Sequence, residues 1–174
     1  MKRSFAIWLV VFSFCVGSVF LFSRCSTGEK EPSLDLAPDF SLKSFDGQEV
    51  TLSQLKGKIV LLDFWATWCE PCRESIPHLI QLYKSYKESG FEVVGMNVDK
   101  GDREAVRRFI TSMDIPYPVV TVPEDVARNY RVTGIPAAFL IDKEGKIRER
   151  FVGFSGAIAQ QLTSKVATLT SPKP

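Results

Sequence analysis

The chain has 174 residues, 45% hydrophobic and 24% charged, the balance of a folded protein, which excludes a disordered chain, a collagen and a multi-span membrane protein. Lysine and arginine number 22 against 20 acids, but Lys2, Arg3 and Arg24 flank an N-terminal run without acids, and the 149 residues from Ser26 onward carry 19 basic and 20 acidic side chains. No basic face is left to neutralise phosphates, so a nucleic-acid partner is not expected.

Phe5 to Phe22 is a run of 18 residues without a charge. As a helix it spans about 27 Å, close to the roughly 30 Å of a hydrocarbon core, and it lacks the amphipathic polarity of a helix packed on a globular domain. Three readings stay open for residues 1–25. They are an uncleaved signal anchor, a lipoprotein modified at Cys25 within Phe22-Ser23-Arg24-Cys25, where Arg24 departs from a lipobox, and a cleaved secretory signal. Each places the remainder on the extracytoplasmic, periplasmic face of a bacterial cytoplasmic membrane. Residues 26–36, with Gly28, Pro32 and the charges of Glu29, Lys30, Glu31 and Asp35, read as a polar tether reaching roughly 35 Å. Residues 37–170 are the expected folded domain.

Within that domain, Phe40 to Leu42 and Glu49 to Thr51 alternate apolar and polar residues around Asp46-Gly47, which predicts a hairpin. Lys58 to Trp65 is nearly all apolar, as in a strand buried on both faces. Ile76, Leu79, Ile80, Tyr83 and Tyr86 recur at helical spacing, and Gly90 is placed to end that helix. A strand over Phe91 to Val98, a helix over Asp102 to Met113, a short strand over Pro118 to Val122 and a brief helix around Val126 to Tyr130 follow. Ala137 to Ile141 and Ile147 to Val152 flank Asp142-Lys143-Glu144-Gly145 as an antiparallel hairpin, and Ile158, Leu162 and Val166 mark a closing helix. This order predicts an α/β domain whose mixed central sheet carries helices on both faces.

Of the four cysteines, Cys15 and Cys25 belong to the N-terminal segment, which leaves Cys69 and Cys72 to carry chemistry. Trp65-Ala66-Thr67-Trp68 ends a strand, and Cys69-Glu70-Pro71-Cys72 opens the next helix. Spacing i, i+3 puts both sulfurs on one face of the first turn, close enough to form or break one disulfide. Pro71 is tolerated because first-turn amides lack intrahelical acceptors. The free N–H groups and partial positive charge there favour a thiolate, so Cys69, nearer the tip, is the expected attacking thiol and Cys72 the resolving one. Glu70 opposes that shift by like charge, so Glu70 and Pro71 are the expected tuning residues. Haem attachment would need a histidine where Arg73 stands, and the single histidine, His78, lies about 240° around the helix from Cys72. No metal site is expected. Asp63, inside an apolar strand, is costly to bury unless protonated or hydrogen-bonded.

Val60 to Cys72, VLLDFWATWCEPC, resembles the active-site strand and helix of thioredoxins. Ala37-Pro38-Asp39-Phe40 and the segment through Gly57-Lys58 resemble the redoxin, AhpC/TSA-like N-terminal hairpin. With the insertion at Gly101 to Ile115 and Thr133-Gly134-Ile135-Pro136 ahead of Ala137 to Asp142, residues 36 to 168 are similar to the TlpA/ResA-like extracytoplasmic thiol-disulfide oxidoreductases. The resemblance implies a thioredoxin fold with an N-terminal hairpin and a central insertion, and an enzyme that works through a Cys69–Cys72 disulfide without a cofactor. It further implies that Asp63 transfers the proton of Cys72, that Pro136 is the family's cis-proline, that the Ile135 backbone pairs with an extended substrate, and that Trp68 is an apolar shoulder of that groove. Ser75 stands where many ResA-like reductases carry a glutamate, and Glu74 is rotated about 100° from it, so that glutamate's acid-base role is not carried over.

The expected function is reduction of disulfides in exported proteins, for example in cytochrome c maturation, by a monomer anchored at its N-terminus and re-reduced by a membrane electron donor. Two alternatives compete with it. A peroxiredoxin-like peroxidase would carry a threonine where Ala66 stands three residues before Cys69, and a copper-handling thioredoxin-fold protein would need C-x-x-x-C and a histidine within reach.

Overall fold

The computed structural model describes residues 36–171. The expected anchor over residues 1–25, and the expected tether except for Leu36, lie outside them. Among the described residues, no helix is long and apolar enough to cross a membrane.

The expected elements form, and their order is the one read above. β1 (Ser41–Lys43) and β2 (Glu49–Thr51) pair antiparallel. Their connection, residues 44–48, is longer than a two-residue turn because Ser44 closes it: its amide donates to the Gln48 carbonyl at 2.8 Å and its hydroxyl to the Asp46 carboxylate. Gly47 takes a φ of 92° there, a region where a Cβ is strained. A 3-10 turn over Leu52–Leu55, which nothing in the hydrophobic periodicity marks, sets Leu52 into the core.

β3 (Ile59–Trp65) is buried along its whole length, which explains the unbroken apolar run. It pairs in parallel with β4 (Phe91–Asn97) and antiparallel with β6 (Ala137–Ile141). β5 (Val119–Thr121) lies outside β4 and β7 (Ile147–Val152) outside β6, giving the order β5-β4-β3-β6-β7. α1 (Glu70–Tyr86) follows β3 and is succeeded by a 3-10 turn, Lys87–Ser89, which ends at Gly90 with φ of 82°. α2 (Arg103–Ser112) starts at Asp102, whose carboxylate accepts the Glu104 amide at 2.8 Å. α3 (Glu124–Asn129) is short, and α4 (Gly156–Thr170) starts at Ser155, whose hydroxyl accepts the Ile158 amide at 3.3 Å.

Side chains alternate along β3 and so divide the core in two. Ile59, Leu61 and Trp65 pack with Ile76 and Leu79 of α1, Val106 of α2, and Leu162 and Val166 of α4. Val60, Leu62 and Phe64 pack on the other side with Phe40, Val50 and Leu52 of the hairpin region and with Tyr130, which follows α3. The Tyr130 hydroxyl donates to the Pro38 carbonyl at 2.6 Å and ties the hairpin to that face. Helices thus cover both faces, as expected. Because β3 and β4 run parallel, the loops that follow them emerge at the same edge of the sheet.

Candidate active site

β3 ends at Trp65, and Cys69 is already the N-cap of α1. The link between them is held from the neighbouring loop. The Thr67 amide donates to the Asp99 carboxylate at 2.8 Å and the Thr67 hydroxyl at 2.9 Å, while the Asn97 side-chain amide donates to the same carboxylate at 2.6 Å. The Val98 amide adds a bond to the Trp65 carbonyl at 2.9 Å. Sequence reasoning passed over Thr67, Asn97 and Asp99. The one available signal is the polar Asn97 at the end of β4, whose only other polar side chain is Glu92.

Cys69 and Cys72 are joined by a disulfide, with Cα atoms 5.3 Å apart. The Cys72 amide donates to Cys69 Sγ at 3.3 Å, so the sulfur occupies the place of an N-cap oxygen. An N–H aimed at the sulfur, together with the positive end of the helix dipole, favours negative charge on Cys69. Cys69 is 5% exposed and Cys72 0%, which makes Cys69 the outer sulfur, as its position at the tip predicts. Glu70 and Pro71 lie exposed on the same turn. The two tryptophans part company: Trp65 is buried with its ring centroid 5.1 Å from that of Phe109, whereas Trp68 is 71% exposed beside Cys69.

The register of β6 brings a third segment to this edge. Ala137 pairs with Phe64, so Ile135 and Pro136 lie beside the end of β3. The Ile135–Pro136 peptide is cis, and among the described residues the Ile135 backbone has no backbone hydrogen-bond partner.

Asp63 shares its face of β3 with Leu61 and Trp65, under α1. It is 2% exposed, its Oδ2 has no hydrogen-bond partner, and burial pushes its carboxyl from the usual 3.8 up to about 7. Of the two ways to bury a carboxyl, this environment favours protonation. His78 is turned toward α4, where Nε2 lies 3.3 Å from Thr163 Oγ1 and the ring faces Phe154. Among the described residues, no cluster of three His, Cys, Asp or Glu side chains is arranged to hold a metal ion.

Residues 34–150 match the AhpC/TSA family model. The chain is 42% identical over 112 residues to the thiol-disulfide oxidoreductase ResA of Bacillus subtilis, covering 64% of this chain and 62% of that one. It is 35% identical over 146 residues to ResA of Bacillus cereus, covering 83% and 84%. The chain belongs to the AhpC/TSA family, among its ResA-like thiol-disulfide oxidoreductases. Among solved structures, a thioredoxin-family thiol:disulfide interchange protein of Chlorobium tepidum is 31% identical, with a TM-score of 0.71 over 78% of this chain and 96% of that one. The thioredoxin domain of a thiol-disulfide oxidoreductase from Bacteroides vulgatus is 28% identical, with a TM-score of 0.71 over 79% and 97%. The five-stranded mixed sheet is therefore that of a thioredoxin fold.

In this ResA-like oxidoreductase, the departure at Ser75 has a structural counterpart. Ser75 is buried and its hydroxyl donates to the Cys72 carbonyl at 2.9 Å, while Glu74 is exposed. A small side chain that satisfies itself on its own helix places no carboxylate behind Cys72.

Proposed function

We propose that this thiol-disulfide oxidoreductase works as a reductant of disulfides in exported proteins, held by its N-terminus at the extracytoplasmic face of a bacterial cytoplasmic membrane. Apocytochrome c is one such substrate, and a membrane electron donor restores the dithiol. The observation that carries the reading is the Cys72 amide aimed at Cys69 Sγ, at a helix N-terminus with the exposed Trp68 beside it. A thiolate is favoured there, at the sulfur nearer solvent.

The Cys69 thiolate attacks one sulfur of the substrate disulfide. That S–S bond breaks, a mixed disulfide forms, and the first substrate thiolate leaves and takes up a proton. Trp68 and the free backbone of Ile135, beside Pro136, line the groove in which the substrate strand lies. Cys72 then gives its proton to Asp63 in its ionised form, which is present near and above about pH 7, and its thiolate attacks Cys69 Sγ. The Cys69–Cys72 disulfide closes and the second substrate thiolate leaves, so two electrons pass from the pair to the substrate. Glu70 and Pro71, on the first turn of α1, tune how readily the pair gives them up. The protein acts as a monomer and needs no cofactor.

The test is the reduction potential of the Cys69–Cys72 couple, by equilibration of the protein against glutathione and dithiothreitol buffers. A value near or below about −250 mV is the expected result, and a value near about −120 mV would identify an oxidant of folding proteins and overturn the reductase reading.

A further inference from the structure

Asp63 is not the only orphaned oxygen on its face of the sheet. The register of β3 and β4 sets Gly95 beside Asp63, and Gly95 in turn pairs with Val119 of β5. The missing side chain at Gly95 lets two rings close over it. A Cβ there would stand 3.5 Å from Tyr117 Cε2 and 3.1 Å from Trp65 Nε1. Tyr117 is 4% exposed, and its hydroxyl, like Asp63 Oδ2, is buried with no hydrogen-bond partner. A buried polar atom without a partner is costly, so two of them on one face call for a shared explanation. Burial, and after it the charge of Asp63, hold the Tyr117 hydroxyl in its protonated form, which makes it a donor toward the carboxylate. Tyr117 also lines a surface pocket of ≈ 380 Å³ with Tyr83, Glu92 and Ile115, and its ring meets that of Tyr83 edge-on at 5.8 Å.

The geometry points to Tyr117 as the residue that holds Asp63 ready for its proton, its hydroxyl joined to Asp63 Oδ2 through a bridging water and its ring bordering the pocket beside Tyr83 and Glu92. This rests on the reading of Asp63 as the proton acceptor of Cys72. During resolution the Cys72 S–H bond breaks and an O–H bond forms on Asp63. The bridging water held by the Tyr117 hydroxyl favours the ionised carboxyl, so Asp63 is ready to take that proton, and no electrons move in the transfer.

The titratable groups packed in the cluster on the Asp63 face of the sheet are Cys69, Cys72, Tyr83 and Tyr86 from α1 and Tyr117 from the segment before β5. β4 and β6 place Gly95 and Ala138 beside Asp63, and α2 and α4 contribute Val106, Leu162 and Val166, all uncharged. A hydroxyl that donates to the carboxylate favours its charged form, so removing that hydroxyl raises the pH at which Asp63 ionises.

The experiment is single-turnover oxidation of the reduced full-length protein by oxidised glutathione, followed by tryptophan fluorescence across pH, for wild type, Tyr117→Phe and Asp63→Asn. Phenylalanine keeps the ring and removes only the unpartnered hydroxyl, so the fold is preserved. The expected result for Tyr117→Phe is a resolution step about tenfold slower, against a loss of roughly a hundredfold or more in Asp63→Asn. Its pH midpoint should also move upward by about one unit. Wild-type rate and midpoint in Tyr117→Phe, with Asp63→Asn slow, overturn the link and leave the role of Asp63 standing. A slower rate with an unmoved midpoint assigns Tyr117 to packing and also overturns the link. Wild-type rate in Asp63→Asn removes the role of Asp63 itself, and the link with it.

Discussion

A carboxyl that ordinarily ionises at 3.8, and that burial pushes up to about 7, binds its proton more tightly in the folded chain than in the unfolded one. Between those two values the folded state of the protein holds more protons than the unfolded state. Stability contributed by Asp63 therefore falls as pH rises from about 4 to about 7 and stays lost above that window. This is the reverse of the usual surface carboxylate, which gains stability with pH. Asp63→Asn removes the titration, so the oxidised variant should be more stable than wild type at about pH 8, by on the order of 4 kcal/mol, and nearly equal to it below about pH 4. Denaturant unfolding at both pH values measures this, and equal stabilities at the higher pH would mean that the folded carboxylate finds a partner. The proposed proton transfer calls for the opposite change in turnover. A residue that costs stability and supports activity fits a site kept for its chemistry.

At the scale of elements, the start of α1 depends on a loop that belongs to another strand. Asp99 accepts from both donors of Thr67 and from Asn97, and Thr67 stands two residues before the N-cap Cys69. Asp99→Ala leaves the Thr67 amide and the buried Asn97 amide without their acceptor. The expected cost is about 1.5–3 kcal/mol of stability, the range for hydrogen bonds to a charged group. Because the loop itself loosens, hydrogen exchange at the Thr67 amide should accelerate more than exchange in the middle of α1. Unchanged exchange at Thr67 would show that the helix start holds itself. None of this was visible along the chain, because Thr67 and Asp99 are 32 positions apart and only the parallel pairing of β3 with β4 brings their loops together. The elements themselves were visible, since the run through β3 and the Ile76, Leu79 spacing of α1 are local periodicities. The 3-10 turn at Leu52–Leu55 was not, because one turn is too short to carry a period.

Across the whole molecule, Leu34–Pro174 forms a compact unit, and β3, β4 and β6 supply residues to both hydrophobic clusters. Neither face of the sheet can lose its packing without disturbing the strands that support the other. A chain beginning at Leu34 is therefore expected to fold by itself and to unfold in one cooperative transition, with coincident midpoints in near- and far-ultraviolet circular dichroism. Two separated midpoints would show that the hairpin face melts apart from the helical face.

The Cys69-x-x-Cys72 pair, its place at a strand-to-helix junction, the order of the elements and the sides of β3 all follow from the sequence, because each is set by residues within one helical turn or one strand. Tertiary structure decided that Asp63 is left without a hydrogen bond on Oδ2, that the Tyr117 ring closes over Gly95 beside it, that Asp99 anchors Thr67, and that Trp68 faces solvent. Each of these depends on sheet register or on where a strand stops, and both are settled by partners distant in the chain, beyond the reach of any local pattern.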